Sequence, residues 1–179
     1  MSRLSALRRN AHFPLAVVAL ALAHPSPPTN LAGSLLVLAG IAVRVWAAGL
    51  LEKGGELCTD GPYRCVRHPL YLGSLLGAIG LCVMMNDKWG WLVVLPLFLV
   101  IYTAQVIAEE RALRASYGGE HARWAGQVPM LVPRLWRRGA SRGRRWSWAR
   151  LLANRELYHV LVTVALVVMF WLRPQWPTP

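Results

Sequence analysis

The sequence predicts an all-α fold, a polytopic membrane helix bundle of about five transmembrane helices with a cytoplasmic re-entrant lid segment. Two features of the composition carry this prediction: hydrophobic residues make up 55% of the 179 positions, and charged residues only 16%. Soluble domains carry about 25% charged residues, and disordered chains have low hydrophobicity, so this composition excludes both classes. The third feature is the net charge of +12, which falls mostly in loops between apolar runs.

Five apolar runs are candidates to cross about 30 Å of hydrocarbon as helices. Four are close to the required length: Asn30–Leu51, Leu70–Met85, Trp89–Ala108 and Leu157–Leu172. The fifth run, Phe13–Ala23, is shorter and follows three arginines, as a cleaved signal peptide would. Because the His-Pro-Ser-Pro-Pro sequence after it is not a small-residue cleavage site, we interpret it as a retained first helix, with cleavage as the alternative.

The charges of the loops predict the orientation of these helices. Assigning alternate loops to the cytoplasm places 17 of the 20 Lys and Arg residues inside and 2 outside. This positive-inside pattern predicts a cytoplasmic N-terminus and an outside C-terminus, in the cell (inner) membrane. An aromatic belt is expected at the outer boundary, and four tryptophans lie there: Trp89, Trp91, Trp171 and Trp176.

The segment Leu135–Arg150 combines arginines with tryptophans. Nucleic-acid-binding proteins show such clusters, but on the cytoplasmic side of a membrane protein topology alone demands arginine. We therefore expect this segment to lie on the membrane and meet anionic lipid headgroups, with no nucleic-acid partner. The three cysteines, Cys58, Cys65 and Cys82, lack metal-type or CxxC spacing, so we expect neither a disulfide framework nor a metal.

The first unusual polar cluster precedes the run that starts at Leu70. Arg67 and His68 stand immediately before Pro69, and proline is favoured in the first turn of a helix. This spacing places Arg67 and His68 at a helix N-terminus, where free N–H groups and the helix dipole favour an anion. Tyr71 lies three residues past His68, near it on the helix surface.

The second cluster, Glu109-Glu110, follows the next apolar run. The tight turn 86–88 makes the two runs antiparallel neighbours, so these carboxylates are expected at the depth of His68. Anion-binding groups on one helix end would then face cation-binding groups on the other, an arrangement that fits a zwitterionic ligand. The alternative is that Arg67 and Glu110 form an interfacial salt bridge and that His68 only caps its helix.

The polar stretch after Glu110 predicts a helix that continues to Ser116 and breaks at Gly118-Gly119. A short helical turn would then lead to Val128-Pro129, where proline favours extended backbone. Such a segment could fold back over the two polar clusters, which is the basis for predicting a lid.

Gly61-Pro62-Tyr63 and Arg67-His68-Pro69-Leu70-Tyr71 resemble the G-P-Y-x-x-x-R-H-P-x-Y signature of integral-membrane methyltransferases. That family includes isoprenylcysteine carboxyl methyltransferases and phospholipid N-methyltransferases. Its second block is similar to Glu109-Glu110, Leu113, Tyr117-Gly118, Trp124, Val128-Pro129 and Pro133. The resemblance implies S-adenosylmethionine as the methyl donor and a lipid or lipidated acceptor, a carboxylate or an amine, at the cytoplasmic face.

The resemblance also implies the residues that bind the cofactor: Tyr63, Val66, Arg67, His68, Tyr71, Glu109 and Glu110. His68 and the helix N-terminus would bind the carboxylate of the donor, and the loop 63–66 would line the adenine. One of the two glutamates would take the ammonium or the ribose hydroxyls. His121 and Trp124 stand where the family often has tyrosines.

Catalytic roles are expected for Glu110 and for Arg44. Arg44 is the one ionisable residue deep in a predicted span, and it matches an arginine often found in the preceding helix of the family. It could orient a carboxylate or phosphate of the acceptor, since intramembrane charges mark functional sites. The alternative is that it snorkels or pairs with a neighbouring helix.

We expect one domain over residues 1–179: an N-terminal helical hairpin at 1–56, methyltransferase core motifs at 57–135, and the basic segment with a fifth helix at 136–179. Two other functions stay open. An NADPH-dependent reductase of the sterol-reductase type would share a similar Arg-His turn, although the pair Glu109-Glu110 would repel its phosphates. A non-enzymatic membrane scaffold would bind no cofactor.

Overall fold

The computed structural model describes residues 23–52, 54–134 and 143–173, and within these ranges the chain forms helices and no β-strand. The α-helices are α1 (Pro27–Leu50), α2 (Pro69–Met85), α3 (Leu95–Ala125), α4 (Trp148–Ala153) and α5 (Glu156–Leu172). A 3-10 turn covers Gly61–Arg64, and a π-helical turn, Gly90–Val94, leads into α3. The all-helical class is confirmed for these residues, whereas all but the last residue of the predicted helix Phe13–Ala23 lies outside them.

Local sequence signals set the ends of the first two helices. Ser26 caps α1: the Thr29 hydroxyl accepts a hydrogen bond of 3.0 Å from the Ser26 backbone N–H, as in a capping box. His68 is the N-cap of α2, with Pro69 in its first turn as predicted. Asn86, with a φ of 49°, ends α2 in the left-handed conformation that asparagine tolerates.

Glycines allow α1 and α2 to pack with their backbones close together. A Cβ atom at Gly40 would clash with the Gly73 carbonyl oxygen, and one at Gly33 would clash with the Gly80 carbonyl oxygen. Small residues at helix crossings are the usual means of close packing in membrane proteins. The two helices therefore form a tightly matched pair that fixes the N-terminal end of α2.

The helix α3 is kinked at Gly118, whose φ of 47° and ψ of −119° interrupt the helical backbone. The break predicted at Gly118-Gly119 is thus confirmed. Beyond α3, the chain runs back along the loop before α2: the Arg67 N–H donates to the Pro129 carbonyl at 2.9 Å. A second bond joins the Arg134 N–H to the Cys65 carbonyl at 2.9 Å. The returning segment therefore contacts the loop as expected, while its action as a lid stays a prediction.

The segment 146–154 caps the C-terminal end of α1. The Asn154 side-chain amide donates to the carbonyls of Ala48 at 2.9 Å and Leu51 at 2.8 Å. The Trp146 indole N–H donates to the Val45 carbonyl at 3.1 Å. The two Asn154 bonds satisfy carbonyl groups that the end of a helix would leave without partners.

Two helical stretches, Pro27–Leu50 and Gly90–Ala125, are long and apolar enough to cross a membrane by length and composition. The other two long helices, α2 and α5, are apolar but shorter, at 17 residues each. Large hydrophobic side chains project outward from several helices, and Val100 is 68% exposed. The bundle therefore presents an apolar exterior, and the total of five spans stays a prediction.

Candidate functional site

The carboxylate of Glu110, on α3, joins the two polar clusters that the sequence separates by more than 40 residues. Its Oε2 atom accepts a hydrogen bond from the Arg67 guanidinium at 2.5 Å, and its Oε1 atom lies 2.8 Å from His68 Nε2. Glu110 and His68 are both buried, at 9% and 3% exposure. The predicted approach of the two helix ends is confirmed, and the alternative salt bridge between Arg67 and Glu110 is present.

A second histidine, His121, approaches the same carboxylate from beyond the kink in α3. His121 Nε2 lies 3.6 Å from Glu110 Oε2, and the histidine is 1% exposed. Its ring packs edge-on against Trp124, with 5.8 Å between the ring centroids. The Trp124 indole N–H in turn donates to the Tyr63 carbonyl at 3.3 Å. The helical turn after Gly118 thus brings His121 into the polar cluster.

A cavity of about 480 Å³, counting the space open to solvent, lies beside this cluster. Five of the predicted cofactor-binding residues line it: Tyr63, Arg67, His68, Tyr71 and Glu109. Its wall also includes the acidic side chains Glu52 and Glu56 and the apolar side chains Leu57, Leu70 and Leu113. The cavity therefore combines a cationic and an acidic side with an apolar lining, as ligand sites commonly do.

Two buried polar atoms in the residues of this cavity have no hydrogen-bond partner within the described ranges: the Tyr63 hydroxyl and Arg67 Nε. Buried polar groups are nearly always hydrogen-bonded in proteins, so such atoms call for a partner. Both residues face the cavity. Their free bonding capacity fits a polar ligand that would supply an acceptor for Arg67 and a partner for the phenol.

Burial also keeps two groups of the cavity wall uncharged. Burial raises the pKa of the Tyr63 phenol well above its ordinary 10.0, with the neighbouring Cys58 and Glu109 adding to the effect. Burial likewise raises the pKa of the Cys58 thiol above its ordinary 9.0. At neutral pH, Tyr63 is therefore a neutral hydrogen-bonding group and Cys58 is a neutral thiol, not a nucleophilic thiolate.

The remaining predicted site residues lie behind the cavity or away from it. Val66 is 2% exposed and, like Glu110, does not line the cavity. The Arg44 guanidinium forms a bidentate pair with Glu156 of α5, at 2.6 and 2.9 Å. It also donates to the Leu70 carbonyl at 3.1 Å. Arg44 therefore pairs with a neighbouring helix, which is the alternative that the sequence left open. Its catalytic role stays a prediction.

Sequence reasoning missed Glu156 and the part played by His121. Glu156 is 2% exposed, and its position directly before the last apolar run was the one signal in the sequence for an acidic partner. His121 was visible only as a residue of unusual type in the second block. Within the described ranges, no group of three or more His, Cys, Asp or Glu side chains could hold a metal ion.

The chain is similar in sequence to several known proteins. The chain is 35% identical over 112 residues to the cobalt-zinc-cadmium resistance protein CzcN of Cupriavidus metallidurans, covering 62% of this chain and 51% of that protein. It is 38% identical over 90 residues to methanethiol S-methyltransferase 2 of Bradyrhizobium diazoefficiens, covering 48% of this chain and 32% of that protein. It is 27% identical over 103 residues to the protein-S-isoprenylcysteine O-methyltransferase of Schizosaccharomyces pombe, covering 58% and 44%.

The chain thus spans about half the length of the first of these relatives and less of the others. No solved structure matches it. The family model for phospholipid methyltransferases matches residues 29–120, which include both polar clusters and more than half of the chain. The resemblance drawn from the sequence motifs is therefore confirmed, and the chain belongs to the phospholipid methyltransferase family.

Proposed function

We propose that this chain is a membrane methyltransferase that takes a methyl group from S-adenosylmethionine and transfers it to a lipid or lipidated acceptor. The observation that carries the proposal is the cavity lined by Arg67, His68 and Glu109, which brings basic and acidic side chains to one site. The family match over residues 29–120 supports methyl transfer as its chemistry. We further propose that the site lies at the cytoplasmic face of the cell (inner) membrane, as the arginine-rich loops suggest.

The charges of the cavity suit the amino-acid end of the proposed donor. That end carries a carboxylate, an ammonium group and a neighbouring sulfonium. Arg67 and His68, at the N-terminus of α2, would hold the carboxylate. Glu109 would hold the ammonium or the ribose hydroxyls, since its carboxylate lines the cavity whereas Glu110 bonds Arg67 and His68. Tyr63 and Tyr71 would line the rest of the bound molecule.

When bound, the donor supplies a methyl group on a positively charged sulfur, which a nucleophilic acceptor displaces in line. The task of the protein is then to orient the two molecules and to exclude water. The segment that returns past Trp124 to Pro129 contacts Tyr63 and Arg67 of the site and would serve as the lid. An acceptor carboxylate needs no general base, whereas an amine must lose a proton first.

A lipidic acceptor fits the exterior of the bundle. Large apolar side chains are exposed on α1, α3 and α5, such as Leu35 at 60%, Val100 at 68% and Leu161 at 60%. Such a surface belongs in hydrocarbon, from which an acceptor would reach the cavity sideways between helices. The isoprenylcysteine methyltransferase among the relatives supports an acceptor of this class.

The proposal is tested by calorimetric binding of S-adenosylmethionine and its demethylated product to the purified protein in detergent. We expect both to bind, and we expect Glu109→Gln to weaken both about tenfold or more, because it removes a charge-assisted hydrogen bond. Arg114→Gln, an exposed change on the same helix, is the matched control and should bind as the wild type does. Binding of NADPH instead would identify a reductase, and binding of none of these ligands to folded protein would favour a scaffold.

A further inference from the structure

His121 is the one member of the polar cluster that the proposed function has not used. It is 1% exposed, and neither ring nitrogen has a hydrogen-bond partner within the described ranges. A buried imidazole without partners is costly, because burial removes its hydrogen bonds to water. Glu110 Oε2 lies 3.6 Å from His121 Nε2. That distance is too long for a hydrogen bond but short enough for one to form after a small shift.

The same oxygen of Glu110 is the acceptor for Arg67. The Arg67 guanidinium lies 2.5 Å from Glu110 Oε2, while His68 occupies the other oxygen, Oε1. Arg67 also faces the cavity, and its Nε atom has no partner within the described ranges. If Arg67 turns toward an anion in the cavity, Oε2 of a buried carboxylate loses its donor. That loss is unfavourable unless another donor replaces it.

We propose that His121 is a positioning residue: its Nε2–H takes over Glu110 Oε2 when Arg67 turns to bind the carboxylate of a ligand. The inference rests on the proposed function, because the ligand is the amino-acid end of S-adenosylmethionine or its product. His121 touches neither the ligand nor the reacting atoms and acts through Glu110. With His121 as the donor to Glu110 Oε2, Arg67 can bind the ligand without leaving that oxygen buried and unpaired.

The test compares two ligands that differ in the group Arg67 would hold. S-adenosylhomocysteine carries the carboxylate, whereas 5′-methylthioadenosine lacks the whole amino-acid end. We expect His121→Leu, which fills the space without a donor, to weaken S-adenosylhomocysteine binding about tenfold or more and to leave methylthioadenosine binding unchanged. His121→Gln keeps an N–H donor and should restore most of the affinity. His159→Gln, at an exposed histidine, is the control.

A packing role for His121 would weaken both ligands equally, and that result would overturn the inference, as would unchanged binding of both by His121→Leu. If His121→Leu fails to fold, ring ¹⁵N NMR of the histidine-labelled wild type, with His121→Gln for assignment, gives the answer. The Nε2 signal of His121 should shift on adding S-adenosylhomocysteine and stay in place on adding methylthioadenosine. An unchanged signal with both would contradict the inference. Wild-type protein that binds neither ligand would remove the proposed function itself, and the inference with it.

Discussion

At the scale of single residues, burial favours the uncharged form of two groups in the cavity wall. The Tyr63 phenol and the Cys58 thiol have pKa values raised by burial, Tyr63 well above 10.0 and Cys58 above 9.0. The unfolded chain therefore releases these protons at lower pH than the folded chain does. The stability they contribute is complete below about pH 9 and is lost as the pH rises through their folded pKa values.

This linkage predicts that the midpoint of thermal unfolding falls from about pH 9 upward. The unfolding midpoint of Cys58→Ser should fall less steeply with pH, because serine does not ionise in this range. Its hydroxyl can still donate to the Leu50 carbonyl that Cys58 contacts. The measurement is thermal unfolding in detergent between about pH 7.5 and pH 10.5. Parallel curves for the two proteins would contradict a raised thiol pKa at Cys58.

Much of the site could be predicted from the sequence because its residues stand beside strong local signals. Pro69 sets the start of α2, and the short 86–88 turn places α2 and α3 side by side. The contact of His68 with Glu110 could therefore be predicted. His121 could not be placed in this way. It reaches Glu110 only through the kink at Gly118, and its direction depends on the φ and ψ of that one residue.

At the scale of helices, the close contact of α1 with α2 depends on glycine at the crossing. Gly40→Ala should destabilise the protein by about 1–3 kcal/mol, because the new Cβ would meet the Gly73 carbonyl. Gly77→Ala is the matched control on α2, since a Cβ there meets nothing within 4 Å. That change should be neutral or stabilising by up to about 1 kcal/mol. The measurement is the free energy of unfolding of both variants in the same detergent. Equal changes for Gly40→Ala and Gly77→Ala would contradict this packing.

The pair of Arg44 with Glu156 joins α1 to α5, and each side chain is largely buried. Removing one partner leaves a buried charge, so Glu156→Leu should cost about 3–5 kcal/mol. Arg44→Met combined with Glu156→Leu should cost less than the sum of the single changes, because it leaves no unpaired charge. Additive free energies of unfolding would show that the pair contributes no coupling.

The same double variant tests the catalytic role predicted for Arg44. If Arg44 only ties α1 to α5, a folded double variant should keep most of the methyl transfer. If the double variant is more stable than Glu156→Leu alone but does not regain methyl transfer, Arg44 acts on the acceptor as the sequence suggested. Ser74, whose hydroxyl lies 2.5 Å from the Arg44 guanidinium, was not foreseen, because only the packing of α1 on α2 brings it there.

At the scale of the whole molecule, the arginine-rich loops predict how the helices are oriented. The exposed apolar faces of the helices predict that the bundle lies in a membrane. Two helices, Pro27–Leu50 and Gly90–Ala125, meet the length for a span. Several predictions concern residues outside the described ranges. They are those for the helix Phe13–Ala23, apart from Ala23, for Trp136 and Trp176, and for the arginines at 137, 138 and 142. The number of spans therefore rests on the sequence pattern alone.

The orientation is testable with single cysteines in a cysteine-free background. Lys88→Cys, in the turn after α2, should react with a membrane-impermeant maleimide added outside intact cells. Arg114→Cys, an exposed position past the apolar part of α3, should react only after permeabilisation. This pattern is what the positive-inside rule predicts. The reverse pattern would place the proposed site on the other side of the membrane.

Methyl transfer from S-adenosylmethionine, on which the proposed function depends, can be measured by supplying the donor with a labelled methyl group. Purified protein in lipid nanodiscs would be given a prenylcysteine carboxylate, a phospholipid amine and a small thiol in turn, with Glu109→Gln as the matched variant. We expect label in a lipidic acceptor, an equal amount of S-adenosylhomocysteine, and loss of most of both in the variant. Transfer confined to the small thiol would contradict the lipidic acceptor, and no transfer to any acceptor by protein that binds the donor would contradict the claim.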